Sequence, residues 1–336
     1  MTTRYAAPIK PGDTIALFSP SSPATAFAPN RYARAKEFIQ QQGYRIKEGA
    51  LTGKSAGWRS GSIKARADEF NQLLHDPDVK CIMSTIGGNN TNAILPYIDY
   101  QQIITSPKII IGYSDITALL LAIYQKTGLV TFYGPAMVAS FGEYPPLVDW
   151  TFDYFSTIVT GNPPLPLPLI PPSCWSEERL EWETQSRAKT LRPNTCQYYG
   201  EGKVTGRLIG GNLNTLYGIW GSEYMPEILA GDILLIEDSL KDISELEREY
   251  AHLALCGVFE KISAIILGKH ECLNDLGCGQ TQLEILREVL AGRNIPIVSD
   301  YDCSHTHPMM TLPLGVTAEI DFAAERIALV SPWLAA

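Results

Sequence analysis

Lys108-Ile109-Ile110-Ile111-Gly112-Tyr113-Ser114-Asp115 decides the fold. Three successive isoleucines leave no polar side for water, so this strand is buried on both faces. Sheets of that kind are parallel and covered by helices on each side. Asp115 to Lys126 reads as the helix that follows, and Val130 to Tyr133 as the next strand. Upstream, Asp13 to Ser19 reads as a strand. Asn30 to Gln42 reads as a helix closed by Gly43, Ala65 to Leu74 as a second helix, and Val79 to Ser84 as a strand. This is βαβ order.

The order breaks between Gly161 and Ser173, which hold six of the 23 prolines. Proline donates no ladder hydrogen bond, so this stretch reads as a stiff extended connector. The βα order then returns. Gly231 to Ile236, Ala264 to Leu267 and Ile295 to Val298 read as strands, Ile243 to Phe259 and Thr281 to Ala291 as helices. Ala318 to Val330 reads as a hairpin. The fold class expected is α/β in two units. The N-terminal domain spans 1–145, the connector and substrate loop 146–200, and a C-terminal β/α domain 201–336.

The chain has 336 residues, enough for about two cores without disulfide staples. At 45% hydrophobic and 19% charged it is not disordered, collagenous or a coiled coil. A net charge of −9 and the lack of a Lys/Arg cluster argue against a nucleic acid polymer as partner. The longest strongly apolar run, Ala118 to Ile123, is far too short to span a membrane. Met1 to Asp13 has no apolar core and does not read as a signal peptide. Seven cysteines without a framework spacing fit free thiols in a reducing cytoplasm.

Four stretches can carry chemistry. Ser114 sits at a strand-to-helix turn, which can hold a nucleophilic hydroxyl proud of the sheet. The same position also suits a plain helix cap, and Ile116 breaks the G-x-S-x-G pattern. Gly87-Gly88-Asn89 follows a strand and can turn its N–H groups toward an anion, or simply make a turn. It is not G-x-G-x-x-G, so no dinucleotide cofactor is expected. Glu237 and Asp238 end an apolar strand, where one member can orient a histidine or both can start a solvated loop. Asp302-Cys303-Ser304-His305-Thr306-His307 holds two of five histidines. Either can serve as general base. Together with Asp302, Cys303, His270, Cys272 and Cys278 they are also conceivable metal ligands, but no ligand spacing is present and no metal is expected. Ser114, Glu237 and His305 occur in one of the orders by which a catalytic triad assembles. Residue logic stops at a plausible serine hydrolase, with a non-catalytic sugar- or nucleotide-binding α/β protein as the reading of another class.

Pro11-Gly12-Asp13, Gly87-Gly88-Asn89, Gly112-Tyr113-Ser114-Asp115 and Tyr133-Gly134-Pro135 occur in one order. Gly206-Arg207-Leu208-Ile209-Gly210-Gly211-Asn212, Leu234-Leu235-Ile236-Glu237-Asp238 and His305-Thr306 continue it. In that order they resemble the LD-carboxypeptidase family of serine peptidases (the S66 type), whose members include the microcin C immunity peptidases. The resemblance implies a Rossmann-like parallel-sheet N-terminal domain, a swivelling C-terminal β/α/β domain and a cytoplasmic homodimer. It implies Ser114 as nucleophile, His305 as base and Glu237 as its orienting carboxylate. The oxyanion hole would be the backbone N–H of Asp115 and one from the Gly87-Gly88 turn, at Gly88. The family usually has Gly before this histidine, where the present chain has Ser304.

The stretch Cys174-Trp175-Ser176-Glu177-Glu178 with Trp182 resembles the loop of the immunity branch. There an aromatic, taken here as Trp175, stacks on a nucleobase. Lys241 matches a substrate-contacting lysine of that branch, and Asn89 and Asn212 are further expected contacts. The implied substrate is an aminoacyl-nucleotide, an aspartyl- or glutamyl-adenylate-like compound cleaved at its amide link. The alternative is the L,D-peptide bond of a murein tetrapeptide, with release of terminal D-Ala. No cofactor is implied, and the partner is a small-molecule or short-peptide substrate.

Overall fold

The computed structural model describes residues 2–336 and contains two large sheets whose carboxyl ends meet, besides a short two-stranded ladder. The first sheet uses β1 (Thr14–Phe18), β2 (Arg45–Glu48), β3 (Val79–Ser84), β4 (Ile109–Gly112) and β5 (Thr131–Tyr133). The spatial order is β5-β4-β3-β1-β2, all parallel. Every residue of β4 is buried, as its isoleucines require. The helix after it runs Thr117–Thr127, preceded by a single tight turn at Ser114–Ile116. Gly128 in the left-handed conformation ends it.

A sixth strand, Leu312–Leu314, joins this sheet antiparallel to β5 from the far end of the chain. The first unit also extends past residue 145. The helix Leu147–Val159 packs Phe152 and Phe155 against Phe141, with Phe38 closing the aromatic cluster.

The second sheet has eight strands. Lys203–Asn212, Ile233–Glu237, Ala264–Gly268 and Ile297–Tyr301 are parallel neighbours at its centre. The hairpin Thr317–Asp321/Arg326–Leu329 flanks them, and the proline-rich Leu167–Leu169 pairs on the outer edge, where proline costs least. The helix expected over Ile243 to Phe259 begins with a capping box, Asp242 with Glu245, and stops at Leu255 because Gly257 takes a positive φ. Gly211 lets the two sheets touch, since a Cβ there would lie 2.7 Å from Thr117. No helix among the described residues is long and apolar enough to cross a membrane.

Candidate active site

Ligand clefts in parallel sheets open at the carboxyl ends of the strands, and the expected groups collect there from both sheets. Ser114 follows β4 with φ +61, a left-handed conformation that a side chain rarely adopts. Such strain is kept where the surroundings hold it. Two contacts do so. The Ser114 N–H donates to the Tyr133 hydroxyl at 3.2 Å. Gly87 packs on the other side, where a Cβ would lie 2.9 Å from Ser114 Oγ and 3.2 Å from the Asp115 nitrogen. The glycine turn therefore brings its backbone against the serine, beside the N–H of Asp115. The Asp115 carboxylate faces away and accepts from Asn90 N–H, Thr91 N–H and the Thr91 hydroxyl.

Glu237 ends its strand in register with Asn212 and is 1% exposed. Its Oε2 lies 2.8 Å from His305 Nδ1. Its Oε1 accepts from the Tyr133 hydroxyl at 2.5 Å and Asn212 Nδ2 at 3.0 Å. Burial alone would raise the Glu237 pKa, but the His305 charge and the hydrogen bonds from His305, Tyr133 and Asn212 bring it below the ordinary value. The pair acts on His305 in the opposite sense. Burial would lower its pKa, yet the Glu237 charge and hydrogen bond, with Glu271 and Asp238 behind them, raise it. The Nδ1 contact leaves Nε2 for the cavity. The Tyr113 ring meets the imidazole edge-on at 4.9 Å.

Ser304 is buried without displacing this pair, because Gly268 stands opposite. A Cβ on Gly268 would come within 3.3 Å of Ser304 Cβ and 2.6 Å of Glu237 Cβ.

Ser114, His305, Gly87 and Gly88 line one cavity of about 550 Å³. Trp182, Phe27, Lys189, Glu271 and His307 line it too. Trp182 stacks beside Phe27 at 6.1 Å, with the Arg31 guanidinium 4.8 Å from its ring centre. Trp182, Tyr133, Lys189 and Glu271 were not assigned from the sequence. Tyr133 appeared there only within a motif, and Trp182 only as a companion of Trp175.

Trp175 requires a correction. It is buried away from the cavity in a short ladder, Cys174–Trp175 with Arg192–Pro193. Its indole N–H donates to the Pro193 carbonyl at 3.0 Å, and Lys269 Nζ lies 5.3 Å from the ring centre. The protein itself covers the π-face that a nucleobase was expected to cover. Trp175 anchors the base of the loop that carries Trp182.

Asn89, Asn212 and Lys241 stand beside the cavity without lining it. The Asn89 N–H donates to Ser21 Oγ. Asn212 caps the helix Leu213–Ile219 and supports Glu237. Lys241 donates its N–H to His270, and its Nζ lies 3.8 Å from Glu245. His307 is 3.9 Å from Glu143, and burial holds its pKa far below 6.5, so the protonatable partner of a carboxylate is His305. Among the described residues no group of three or more His, Cys, Asp or Glu is placed to hold a metal ion. Asp302 is instead paired with Lys269 at 2.7 Å.

A strained serine, a carboxylate-held histidine and a glycine turn at the meeting of two sheets define a serine hydrolase site. The chain belongs to the LD-carboxypeptidase family of peptidases. The family's N-terminal domain matches residues 15–134 and its C-terminal domain residues 205–320. The chain is 55% identical over 331 residues to the microcin C7 self-immunity protein MccF of Escherichia coli, covering 98% of this chain and 96% of that one. It is 59% identical over 332 residues to a putative carboxypeptidase of Vibrio cholerae, covering 99% of both. The wild-type apo structure of MccF superposes with a TM-score of 0.97 at 54% identity, covering 99% of this chain and 100% of that one. MccF has also been solved with aspartyl sulfamoyl adenosine, with glutamyl sulfamoyl guanosine and, as a tryptophan-to-phenylalanine mutant, with adenosine monophosphate.

Proposed function

We propose that this serine peptidase hydrolyses the amide-type link between an acidic aminoacyl group and a nucleotide, as an immunity enzyme of the microcin C type. One observation carries the reading. A single cavity has Ser114 and His305 on its wall and the aromatic pair Trp182 and Phe27 on the same wall lining. An acyl group and a nucleobase can then be held at once. The 55% identity to MccF supports it, against 24% over 311 residues for a murein tetrapeptide carboxypeptidase of Pseudomonas aeruginosa.

In this reading His305 Nε2 takes the Ser114 proton as Oγ attacks the carbonyl carbon. The oxyanion falls on the N–H groups of Asp115 and Gly88, which act while charge develops. Collapse breaks the carbon–nitrogen bond, and His305 returns the proton to the leaving nitrogen. The acyl group is left as an ester on Ser114. Water, deprotonated by His305, attacks that ester and releases the amino acid. Glu237 stays ionised throughout and steadies the imidazolium. Asn212 and Lys241 correspond in residue type to the asparagine and lysine replaced, with a serine, in an active-site mutant of MccF. We assign Asn212 to supporting Glu237 and Lys241 to the nucleotide's anionic linker.

A cytoplasmic homodimer completes the reading. It is supported by the family resemblance and by seven unpaired cysteines. The test is incubation with aspartyl sulfamoyl adenosine and, separately, with a murein tetrapeptide, both followed by mass spectrometry. Release of aspartate with the tetrapeptide intact is expected. Release of D-Ala with the nucleotide intact reverses the assignment.

A further inference from the structure

The turn that carries His305 is closed at Asp302, whose carbonyl accepts the Met310 N–H at 2.8 Å. The Asp302 carboxylate meets Lys269, and both side chains are buried, at 0% and 2% exposure. Lys269 Nζ lies 2.7 Å from Asp302 Oδ1 and 3.2 Å from Asn194 Oδ1, and it also donates to the Asp300 carbonyl. All three donors of the ammonium are thereby used. Asp300 has φ +56, a left-handed conformation within the strand Ile297–Tyr301, where the pairing register with Ala264–Gly268 shifts. Lys269 bonds the carbonyl at that irregularity, two residues before the turn begins.

On its other side Lys269 meets the stem of the loop that carries Trp182. Asn194 Nδ2 donates to Asp302 Oδ2 at 2.8 Å and to the Pro172 carbonyl at 2.6 Å. The Trp175 ring centre lies 5.3 Å from Nζ, within reach of a cation–π contact. Past His305, the backbone of His307 exchanges two hydrogen bonds with Ser176, at 2.8 and 3.0 Å. One buried cation therefore joins the base of the histidine turn to both sides of the loop stem. A buried ion pair gains little net stability over an apolar pair of the same volume, and its best-attested use is to fix one arrangement.

We propose that Lys269 is a positioning residue for catalysis: it holds the His305 turn and the Trp182 loop in one register, so that His305 stays seated on Glu237 and faces Ser114. This rests on the Ser114–His305 hydrolase site described above and not on the choice of substrate. Lys269 does not line the cavity, so it acts through the turn. Burial lowers the His305 pKa, and the facing carboxylates of Glu237, Glu271 and Asp238 raise it. His270 and His307 beside it are held neutral by burial. Exchanging both members of the Lys269–Asp302 pair for neutral groups leaves the net charge of this region unchanged. A change in His305 titration then reports geometry.

The test is the rate of fluorophosphonate labelling of Ser114 across pH, in wild-type enzyme and in the double variant Lys269→Met with Asp302→Asn. Labelling needs a neutral His305 and no particular substrate. The double variant leaves no lone buried charge and should fold, with a melting temperature near that of the wild type. Its plateau labelling rate should fall about tenfold, less than the ~10² that a misplacement of ~1 Å costs. Its acid limb should move to lower pH by about 0.5 unit or more, because an imidazole slack on Glu237 loses part of the support that raises its pKa. Asn194→Ala, which keeps both charges, should move both quantities in the same direction and decides the question if the double variant does not fold. A wild-type plateau and limb in a folded variant overturn the proposal and leave the pair a structural one. A slower plateau with the limb unmoved also overturns it, since His305 has then kept its seat on Glu237. Wild-type enzyme that is not labelled at Ser114 removes the hydrolase site and this proposal together. Labelled enzyme that leaves aspartyl sulfamoyl adenosine intact removes only the substrate reading.

Discussion

The Tyr133 hydroxyl joins Ser114 to Glu237: it accepts the serine's backbone N–H at 3.2 Å and donates to Glu237 Oε1 at 2.5 Å. One side chain from the first sheet thus fixes both the strained nucleophile turn and the carboxylate of the second sheet. Tyr133 is fully buried and does not line the cavity, so it acts by positioning. Tyr133→Phe should lower kcat about tenfold with KM nearly unchanged, and cost about 1–3 kcal/mol by leaving a buried carboxylate short of a donor. Steady-state kinetics and thermal melting check this. An unaltered kcat would sink the positioning role.

The pH dependence follows from the raised His305 and lowered Glu237 pKa values. A general base must be neutral, so the acid limb of kcat/KM should lie above the ordinary 6.5. In Glu237→Gln the burial of His305 is opposed only by the weaker contributions of Glu271 and Asp238. The limb should move to lower pH than in the wild type, and the plateau should fall by about 10²–10⁴. For stability, the His305 contribution is complete below its unfolded pKa and is lost as pH rises through the higher folded value. The Glu237 contribution is complete above its unfolded pKa and is lost as pH falls through the lower folded value. Denaturant titrations of the Gln variant should show both dependences weakened.

The two loop tryptophans should separate cleanly. Trp182→Ala removes a cavity wall and should raise KM for an adenylate substrate about tenfold or more, as loss of base stacking does. Trp175→Ala empties a buried site and should cost about 3–5 kcal/mol, with activity lost alike on every substrate. The pair of KM values, read beside melting temperatures, decides it. A KM effect confined to Trp175→Ala would place the nucleobase on Trp175 and not on Trp182.

Gly87 bears on Ser114 by contact alone. Its φ is one that alanine adopts, yet a Cβ would meet Ser114 Oγ at 2.9 Å. Gly87→Ala should therefore fold normally while kcat falls about 10²-fold or more, the scale of a damaged oxyanion hole. Wild-type turnover in that variant would move the glycine turn out of the site.

The parallel strands were legible because burial on both faces leaves an unbroken apolar run. Val79–Ser84 was read with its exact ends, and the isoleucines of β4 located the serine turn. The helix Leu147–Val159 went unread because its aromatic face borders the proline-rich stretch, which dominated the local reading. Lys203–Asn212 contains Gly206, Gly210 and Gly211, residues that disfavour a strand locally and are tolerated here for close approach to neighbours. The triad candidates were visible as residue types in order. The distinction between Trp175 and Trp182 was not, because Arg31 and Phe27, some 150 residues upstream, settle it. Likewise Ser304 looked out of place in sequence until Gly268 was found facing it.

The central claim is that Ser114 attacks the substrate and carries its acyl group. The direct measurement is intact-protein mass spectrometry after rapid acid quench of a reaction with aspartyl sulfamoyl adenosine. Fluorophosphonate labelling of the resting enzyme runs in parallel. The account predicts an added aspartyl mass and a fluorophosphonate adduct, both mapping to the peptide that contains Ser114 and both absent from Ser114→Ala, which should fold and not turn over. Turnover of more than a few per cent by Ser114→Ala, or an adduct on another residue, would contradict it.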